Sequence, residues 1–514
     1  MTEPTSIPDD PALLKPMVLE LTDQLKKSQR REELLQAKLE ELARKLFGRK
    51  SEKIDPNQLS LVDLGVFGIK TPEEAEPKAE AEEPPVKARR RPKRKRPSKA
   101  LPRRRVEFHL PEEDRGCSCC DDVMPAIKEI VHEQLEYTPA SLEVIENVTF
   151  LYGCKNGCDE KIVSSSKPPQ MVEKGLAGPG LLAHVITSKY CDHVPLNRLH
   201  GILKRQHKAE IPQATLGGWV KNAGHGVIPL IEYLKEDQLR SAVIATDDTS
   251  VPVQKKGGTY RGRLWVYIGD TDHPLVIYDY TPTREKEGPA EFLKNFSGYL
   301  QADAYTGYDQ LFDPERDLKI HEVGCWMHCR RYFFEASQKD KGLPLVALAM
   351  IRELYRYERI AADYSPQQRY ELRQEKSVPI LDAMGEWVEE NRLTVPPKGL
   401  VGKALTYTHN QWEALRRYTT EGYLEIDNGR SERMMRLIAI GRKNWLFAGN
   451  DEGGRRAANH YTLIGTCRYH GWDPYEYLRR LYTCLPGLPE SRLHEVTPLA
   501  WAAEKGLKSN LLKS

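Results

Sequence analysis

The sequence predicts a multidomain α/β protein: an α/β core interrupted by a helical insertion and preceded by a coiled coil, a cysteine-rich region and a small helical module. Three observations predict it. Strand-length apolar runs are mixed with helix-period runs between residues 242 and 323, a seam of apolar residues in steps of three and four runs through positions 18–46, and two pairs of closely spaced cysteines stand ahead of the core. At 514 residues the chain has room for several domains, and its 39% hydrophobic content permits real cores.

The core is built from five predicted strands. Residues 242–248 are a short apolar run ending in acids. Residues 263–270 (RLWVYIGD) alternate, with Leu264, Val266 and Ile268 on one face, and residues 275–280 are rich in β-branched and aromatic side chains. Residues 289–296 read as a helix, 299–303 as a fourth strand and 318–323 as a fifth. Three strands, a helix, a strand, a short helix and a strand is the order of a ribonuclease-H-like core. In that order one acid lies on the first strand, a second just after the fourth and a third on a later helix. Asp247, Asp303 and Glu432 fill those places.

With 74 Asp and Glu in the chain, three acids mean little without such an order. With it, they can hold two Mg²⁺ or Mn²⁺ ions, the arrangement that clamps both the attacking and the leaving oxygen of a phosphodiester. Asp248 rivals Asp247 as the first ligand, because adjacent strand residues face opposite ways. The long interval between Asp303 and Glu432 is rich in helix formers, so residues 338–421 read as a helical insertion. It divides the core into 237–337 and 422–485, with a tail over 486–514.

The site helix, within EIDNGRSERMMRLIAIGRKNWLFAG, carries Asn428 and Glu432 on one face, four residues apart. Arg433, Arg436, Arg442 and Lys443 are candidates for phosphate contact. Trp445 either stacks on a splayed base or packs in the core. In GCWMHCRRYFF, Cys325, His328 and Cys329 could form a second metal site. The favoured reading is a core helix that turns His328 and Arg331 toward the cleft.

Residues 12–53 contain the seam Val18, Leu21, Leu25, Ser28, Glu32, Leu35, Leu39, Leu42 and Leu46. It predicts a coiled coil and self-association; a helix packed on its own protein has the same pattern. Residues 54–106 read as a disordered linker, acidic over 71–85 and then basic, with twelve Lys or Arg in the nineteen positions 87–105. Arg94, Lys95 and Arg96 in this block suit DNA phosphates. Its lack of aromatic residues argues against base recognition.

Residues 107–168 form a candidate zinc region. Cys117 and Cys120 (C-x2-C) with Cys154 and Cys158 (C-x3-C) suit four thiolates around a structural Zn²⁺, with Cys119 an alternate ligand. Residues 176–236 hold helical patterns consistent with a helix-turn-helix DNA-binding domain, and Thr215, Lys221 and Asn222 would face DNA. A plain helical bundle fits the same spacing.

Bulk properties narrow the classes further. A net charge of +3 does not announce a nucleic-acid partner; the basic block does. No apolar run is long enough to span a membrane, and the first residues lack the pattern of a signal peptide. Ten cysteines in such a chain favour metal ligands or free thiols over disulfides, and a cytoplasmic location is expected.

Several segments together resemble the transposases of the bacterial insertion sequence sixty-six family: LFGRKSEK (46–53), the paired cysteines, DDT (247–249), LQADAYTGYDQL (300–311), GCWMHCRRYFFEA (324–336) and the run 425–454. The resemblance extends over residues 19–485. It implies a DDE-type transposase in which Asp247, Asp303 and Glu432 match the catalytic positions. The family usually has Asp-Glu-Thr where this chain has Asp247-Asp248-Thr249. The match includes His328 and Arg331 but not Cys329.

The expected function is binding of insertion-element ends, hydrolysis of the phosphodiester and joining of the 3′-OH to target DNA. Double-stranded DNA is the partner, and the resemblance adds small accessory proteins of the element and implies a bacterial, nucleoid-associated setting. Two rivals stand: a zinc-containing DNA-binding regulator whose acid triad is inert, and a structure-selective nuclease that nicks without joining.

Overall fold

The computed structural model describes residues 169–509, apart from 174, 314 and 341, together with 142–145, 151–152 and 163–164. The expected coiled coil over 12–53, the linker with Arg94, Lys95 and Arg96, and the cysteines Cys117, Cys120, Cys154 and Cys158 lie outside the described residues. The chain divides into two compact units, residues 1–73 with 148–514 and residues 74–147. All elements named below belong to the first.

Two short strands, β1 (Leu151–Tyr152) and β2 (Val163–Ser164), pair antiparallel. Four helices follow: α1 (Pro179–Tyr190), α2 (Leu196–His207), α3 (Gln213–Gly226) and α4 (Ile228–Gln238). Lys208, with φ +55, ends α2 in the left-handed conformation and turns the chain toward α3. Leu216, Trp219, Val220 and Ala223 bury one face of α3, while Thr215, Lys221 and Asn222 are exposed on the other. The sequence patterns marked three helices here; α4 is an addition. It follows after Val227 alone, and its buried Gln238 amide donates to the carbonyls of Tyr267 (2.8 Å) and Leu275 (3.0 Å), tying the helices to the sheet.

The central sheet has the order β5-β4-β3-β6-β7. Its strands are β3 (Val243–Lys255), β4 (Gly258–Ile268), β5 (Val276–Thr281), β6 (Gly298–Gln301) and β7 (Ile320–Val323). β3, β4 and β5 are antiparallel neighbours, whereas β3–β6 and β6–β7 run parallel. Gly257, at φ +81, makes the tight β3–β4 turn. The distal halves of β3 and β4 form a half-exposed ribbon that the apolar pattern did not announce.

The alternation of Leu264, Val266 and Ile268 is correct, but the intervening Trp265 and Tyr267 are also fully buried. Both sheet faces are therefore covered. On one, α5 (Glu287–Phe292) and a 3₁₀ turn (Thr306–Phe312) supply Phe292, stacked on Tyr267 at 3.7 Å, and Tyr308, edge-on to Trp265. On the other lie α12 (Gly429–Trp445) and α13 (Asp451–His470); Tyr278 donates its hydroxyl to the Met434 carbonyl at 2.8 Å.

Helix α13 also closes the outer edge of β5. The amides of Val276 and Tyr278 donate to the hydroxyls of Thr466 (3.1 Å) and Thr462 (2.9 Å). Threonines four apart on a helix rise about 6 Å, close to the rise of two strand residues, so each meets an alternate amide. From the same helix, Asn459 and His460 reach the carbonyls of Gly224 and Val220, docking α3.

The predicted insertion is helical: α7 (Leu343–Ile360), α8 (Pro366–Leu372), a π turn (Arg373–Ser377), α9 (Val378–Arg392), α10 (Leu400–Asn410) and α11 (Trp412–Arg416). It has its own core, in which Ile351, Leu354, Leu381, Met384 and Leu405 pack against Trp326, Cys329 and Phe333 of α6 (Trp326–Ser337). Two further helices, α14 (Pro474–Cys484) and α15 (Pro498–Glu504), complete the fold. Prolines occupy the first turns of α1, α4, α7, α8, α9, α14 and α15, where a missing amide hydrogen costs no helical bond.

Arg373 is the polar centre of the insertion. Its guanidinium is 1% exposed, forks onto Glu358 (2.9 and 2.7 Å), and donates to the carbonyls of Tyr418, Glu421 and Leu424 at 2.7–2.8 Å. Removing it leaves a nearly buried carboxylate and three carbonyls without a donor. Arg373→Ala is expected to destabilise the chain by about 3–5 kcal/mol, read as a lowered denaturant midpoint. Arg373→Lys should recover only part, because an ammonium cannot fork.

His460 supplies a pH dependence. Burial lowers its pKa to about 4, while an unfolded histidine titrates near its usual value of 6.5. Between those values the unfolded chain binds the extra proton. The stability contribution is therefore complete above pH 6.5 and is lost as pH falls through 4. The expected loss is about 3 kcal/mol on acidification, measured by denaturant titration at several pH values. His460→Gln should flatten that acid limb relative to the unaltered chain.

Candidate active site

The sheet's parallel strands end together. Pairing of β3 with β6 runs from Val243↔Tyr299 to Ala245↔Gln301, and β6 pairs with β7 up to Gln301↔Val323. Beyond this line β3 continues through Thr246 to Asp247, β6 gives way to Ala302 and Asp303, and β7 leads through Gly324 and Cys325 into α6. The carboxyl ends of parallel strands form a natural crevice where their backbones separate.

Asp247 lies in this crevice, on the sheet face covered by α12. Burial raises its pKa to about 7, and the next cause is the charge of Asp303; Asp248 and Glu432 add smaller contributions, while the Asp248 amide, 2.7 Å from Oδ1, opposes the rise. Asp303 is half-buried in the loop after β6. Glu432 lies in the first turn of α12. Its Oε1 is 3.2 Å from Arg331 Nη2 and 3.6 Å from His328 Nε2. The structure thus brings Asp247, Asp303, Glu432, His328 and Arg331 together. Burial lowers the His328 pKa, with Glu432 the largest opposing influence.

The segment entering α12 fixes where Glu432 stands. The Gln301 amide donates to the Glu425 carbonyl at 2.7 Å, and the Trp326 amide to the Ile426 carbonyl at 3.2 Å. Asp427 accepts from the Tyr355 hydroxyl and the Gly429 amide. Buried Asn428 donates from Nδ2 to the Thr246 carbonyl at 2.6 Å, and from its amide to Cys325 Sγ at 3.3 Å. Asn428 therefore connects the start of the Glu432 helix to the peptide just before Asp247. Its spacing from Glu432 suggested a shared face; the bond to β3 was not readable, because its partner lies far away in sequence.

Asp248 faces the other way. It is 3% exposed and is held by Arg263 Nη1 (2.8 Å) and by the Nε and Nη2 atoms of Arg284 (3.1 and 2.8 Å). Sequence reasoning missed Arg263 and Arg284. The paired acids at 247–248 were the available signal, since a second buried carboxylate needs cations.

The other expected contacts divide. Arg436 and Lys443 are exposed, as is Lys221 on α3. Arg433 is half-buried, with Nε and Nη2 enclosed and unpaired. Arg442 is engaged within the protein: its Nη1 donates to Thr249 Oγ1 (2.8 Å) and the Ser250 carbonyl (2.7 Å), bracing α12 against β3. Trp445 is half-buried against the main core. Cys325 and Cys329 are buried; Cys329 contacts Thr408, and burial raises both thiol pKa values to about 12.

Among the described residues no group of three His, Cys, Asp or Glu side chains is gathered tightly enough to hold an ion as it stands. The donor chemistry nevertheless fits a hard divalent cation. All three acids offer oxygen, and Asp247, whose pKa is raised first by burial and then by the charge of Asp303, is a carboxylate whose charged form a cation would favour. The raised thiol pKa values make Cys325 and Cys329 poor thiolate ligands.

An α/β core whose strand ends carry neighbouring acids, in a chain that also has a dense basic block at 87–105 and paired cysteines, fits a DNA-processing enzyme. Comparison with known proteins makes the class specific. A family model described as Transposase IS66 family matches residues 174–456, one described as Transposase C of IS166 homeodomain matches 34–106, and one described as zinc-finger binding domain of transposase IS66 matches 114–158. The chain belongs to the IS66 transposase family.

Its relatives include uncharacterized proteins of Sinorhizobium fredii (strain NBRC 101917 / NGR234). One, y4hP, is 31% identical over 494 residues, covering 91% of this chain and 88% of the relative. Another, y4jD, is 28% identical over 462 residues, covering 86% and 89%. The family domains imply a DNA transposase with DNA-binding and zinc-finger regions, a DDE-type domain that uses divalent metal, and zinc in the finger. Among the described residues no helix is long and apolar enough to cross a membrane.

The Asn428 bond is open to test. Asn428→Ala leaves the Thr246 carbonyl buried and unpaired, at a cost of about 1–3 kcal/mol. Loss of DNA cleavage should exceed what the fall in stability explains. The check is to compare thermal midpoint and cleavage rate at a temperature where the variant is fully folded.

Proposed function

We propose that this chain binds the ends of its insertion element, cleaves the phosphodiester there and joins the resulting 3′-OH to target DNA, with Asp247, Asp303 and Glu432 as catalytic metal ligands on a ribonuclease-H-like core. The strand order, antiparallel on one side of β3 and parallel on the other, supports that fold. The observation that carries the mechanism is the convergence of the three acids where β3 and β6 separate, within a family-matched segment.

Asp247, Asp303 and Glu432 would hold two Mg²⁺ or Mn²⁺ ions, which would supply activation of the attacking oxygen and stabilisation of the leaving one. The protein's own residues supply the rest. Asp247 brings a carboxylate that burial and Asp303 have made readily protonated, and so eager for a cation. Arg331, about half exposed beside Glu432, offers a guanidinium to a phosphate oxygen. His328, whose charged form burial disfavours and Glu432 favours, orients Glu432 or a water. Arg436 and Lys443 contact the strand backbone from the exposed side of α12. Lys221, with Thr215 and Asn222, faces duplex DNA from α3 as part of a helix-turn-helix.

Outside the described residues, Cys117, Cys120, Cys154 and Cys158 hold structural Zn²⁺; the zinc-finger match over 114–158 includes all four, and β1 and β2 flank the second pair in sequence. Arg94, Lys95 and Arg96 contact phosphates without reading bases. The coiled coil over 12–53 joins copies so that two sites address two ends, and small accessory proteins of the element join the complex.

The test is a strand-transfer assay with labelled element-end DNA and a plasmid target, with Mg²⁺, Mn²⁺ or EDTA. Joined product that depends on metal is expected. Asp247→Asn and Glu432→Gln should each reduce it by more than the roughly 10–100-fold that changes outside the ligand set cost, while DNA binding survives. Nicking without joining would favour the nuclease, and binding without chemistry the regulator.

A further inference from the structure

Asp248 stands beside a proposed metal ligand, yet its carboxylate is closed off in an ion cluster on the opposite sheet face. That cluster leads back to the site by another route. Arg284, in the loop between β5 and α5, forks onto Asp248 and lays its guanidinium over the Tyr305 ring, 3.9 Å from the centroid. The Tyr305 hydroxyl donates to the Arg284 carbonyl, so the two residues grip each other through side chain and backbone.

Tyr305 lies two residues after Asp303. Between them Ala304 adopts φ +59, a left-handed conformation uncommon for a residue with a Cβ. A turn of that kind persists when its surroundings hold it. Here the hold is on Tyr305, seated between Arg284, Trp265 (6.3 Å) and Tyr308 (5.7 Å, edge-on). Gly307 makes room for the ring: a Cβ there would stand 2.1 Å from it.

We infer that Asp248, Arg284 and Tyr305 are positioning residues that fix the Asp303 loop relative to Asp247. The inference rests on the reading of Asp247 and Asp303 as metal ligands. Asp248 is the fixed point, because it is consecutive with Asp247 on β3 and is held independently by Arg263. Arg284 transmits that position to Tyr305, and Tyr305 sets the backbone that presents Asp303. The arrangement requires a planar, forked cation: lysine can carry the charge but cannot fork onto Asp248 while stacking on Tyr305. It also assigns the two adjacent acids different tasks, one facing the metals and the other anchoring the loop.

The experiment is a Mn²⁺ titration of the full chain with element-end duplex, read by electron paramagnetic resonance, alongside thermal unfolding. Asp247→Asn is the control for the metal site. Arg284→Gln is expected to weaken Mn²⁺ binding about 10–100-fold with little change in unfolding midpoint, since Arg284 is partly exposed. Arg284→Lys should not rescue it. Tyr305→Phe, which keeps the ring and loses the hydroxyl, should weaken it less. Asp248→Asn serves as a second route to the same loss.

Mn²⁺ affinity within about twofold of the unaltered chain in Arg284→Gln, with Asp247→Asn still defective, would overturn the positioning role and leave the metal site standing. A salt-dependent loss of DNA affinity alone would also overturn it, making Arg284 a phosphate contact. If the unaltered chain shows no Mn²⁺ binding that Asp247→Asn removes, the metal reading fails and this inference with it.

Discussion

The site depends on the four residues that enter α12. Residues 425–428 make hydrogen bonds to β6, α6 and β3 in turn, and the last of them links Asn428 to the peptide beside Asp247. A helix packed on a sheet by apolar contacts alone can slide or rotate by a fraction of a turn. A buried amide bonded to a buried carbonyl removes that freedom, because any shift leaves both groups unpaired. The acid on the helix is thereby referred to the same strand that carries Asp247.

The helical insertion belongs to this arrangement. Arg373 gathers the carbonyls of Tyr418, Glu421 and Leu424, immediately upstream of the segment that enters α12. The insertion core also receives the apolar face of α6, whose other side presents His328 and Arg331 to Glu432. One buried guanidinium and one amphipathic helix therefore couple the order of the insertion to the order of the site.

Much of the core was legible in sequence. Strands such as 243–245 and 275–280 are apolar because both sheet faces are covered, and the strand order put Asp247 and Asp303 at the ends of strands that the structure shows to be neighbours. Other features were hidden for definite reasons. The ribbon after Thr249 contains Pro252 and a lysine-glycine turn and is half exposed, so it lacks the pattern of a buried strand. Arg442 looked like a phosphate contact because its partners Thr249 and Ser250 lie 193 and 192 residues away, across the whole insertion and much of the core. Asn428 and Arg284 act through partners distant in sequence, and no local spacing reveals such pairs.

The hydroxyls of Thr462 and Thr466 have a consequence beyond holding a helix. A sheet offers other chains its unpaired edge amides. At the β5 edge those of Val276 and Tyr278 are already satisfied by α13. At the other side of the sheet, the residues around α11 bond the backbone of β7 and the turn beyond it, Arg417 to the Glu322 carbonyl and the Gly324 amide to the Ala414 carbonyl. Strand addition along either edge would first have to displace these bonds. Both outer borders, β5 and β7, are thereby guarded against fusing with a neighbouring strand into a continuous β-structure.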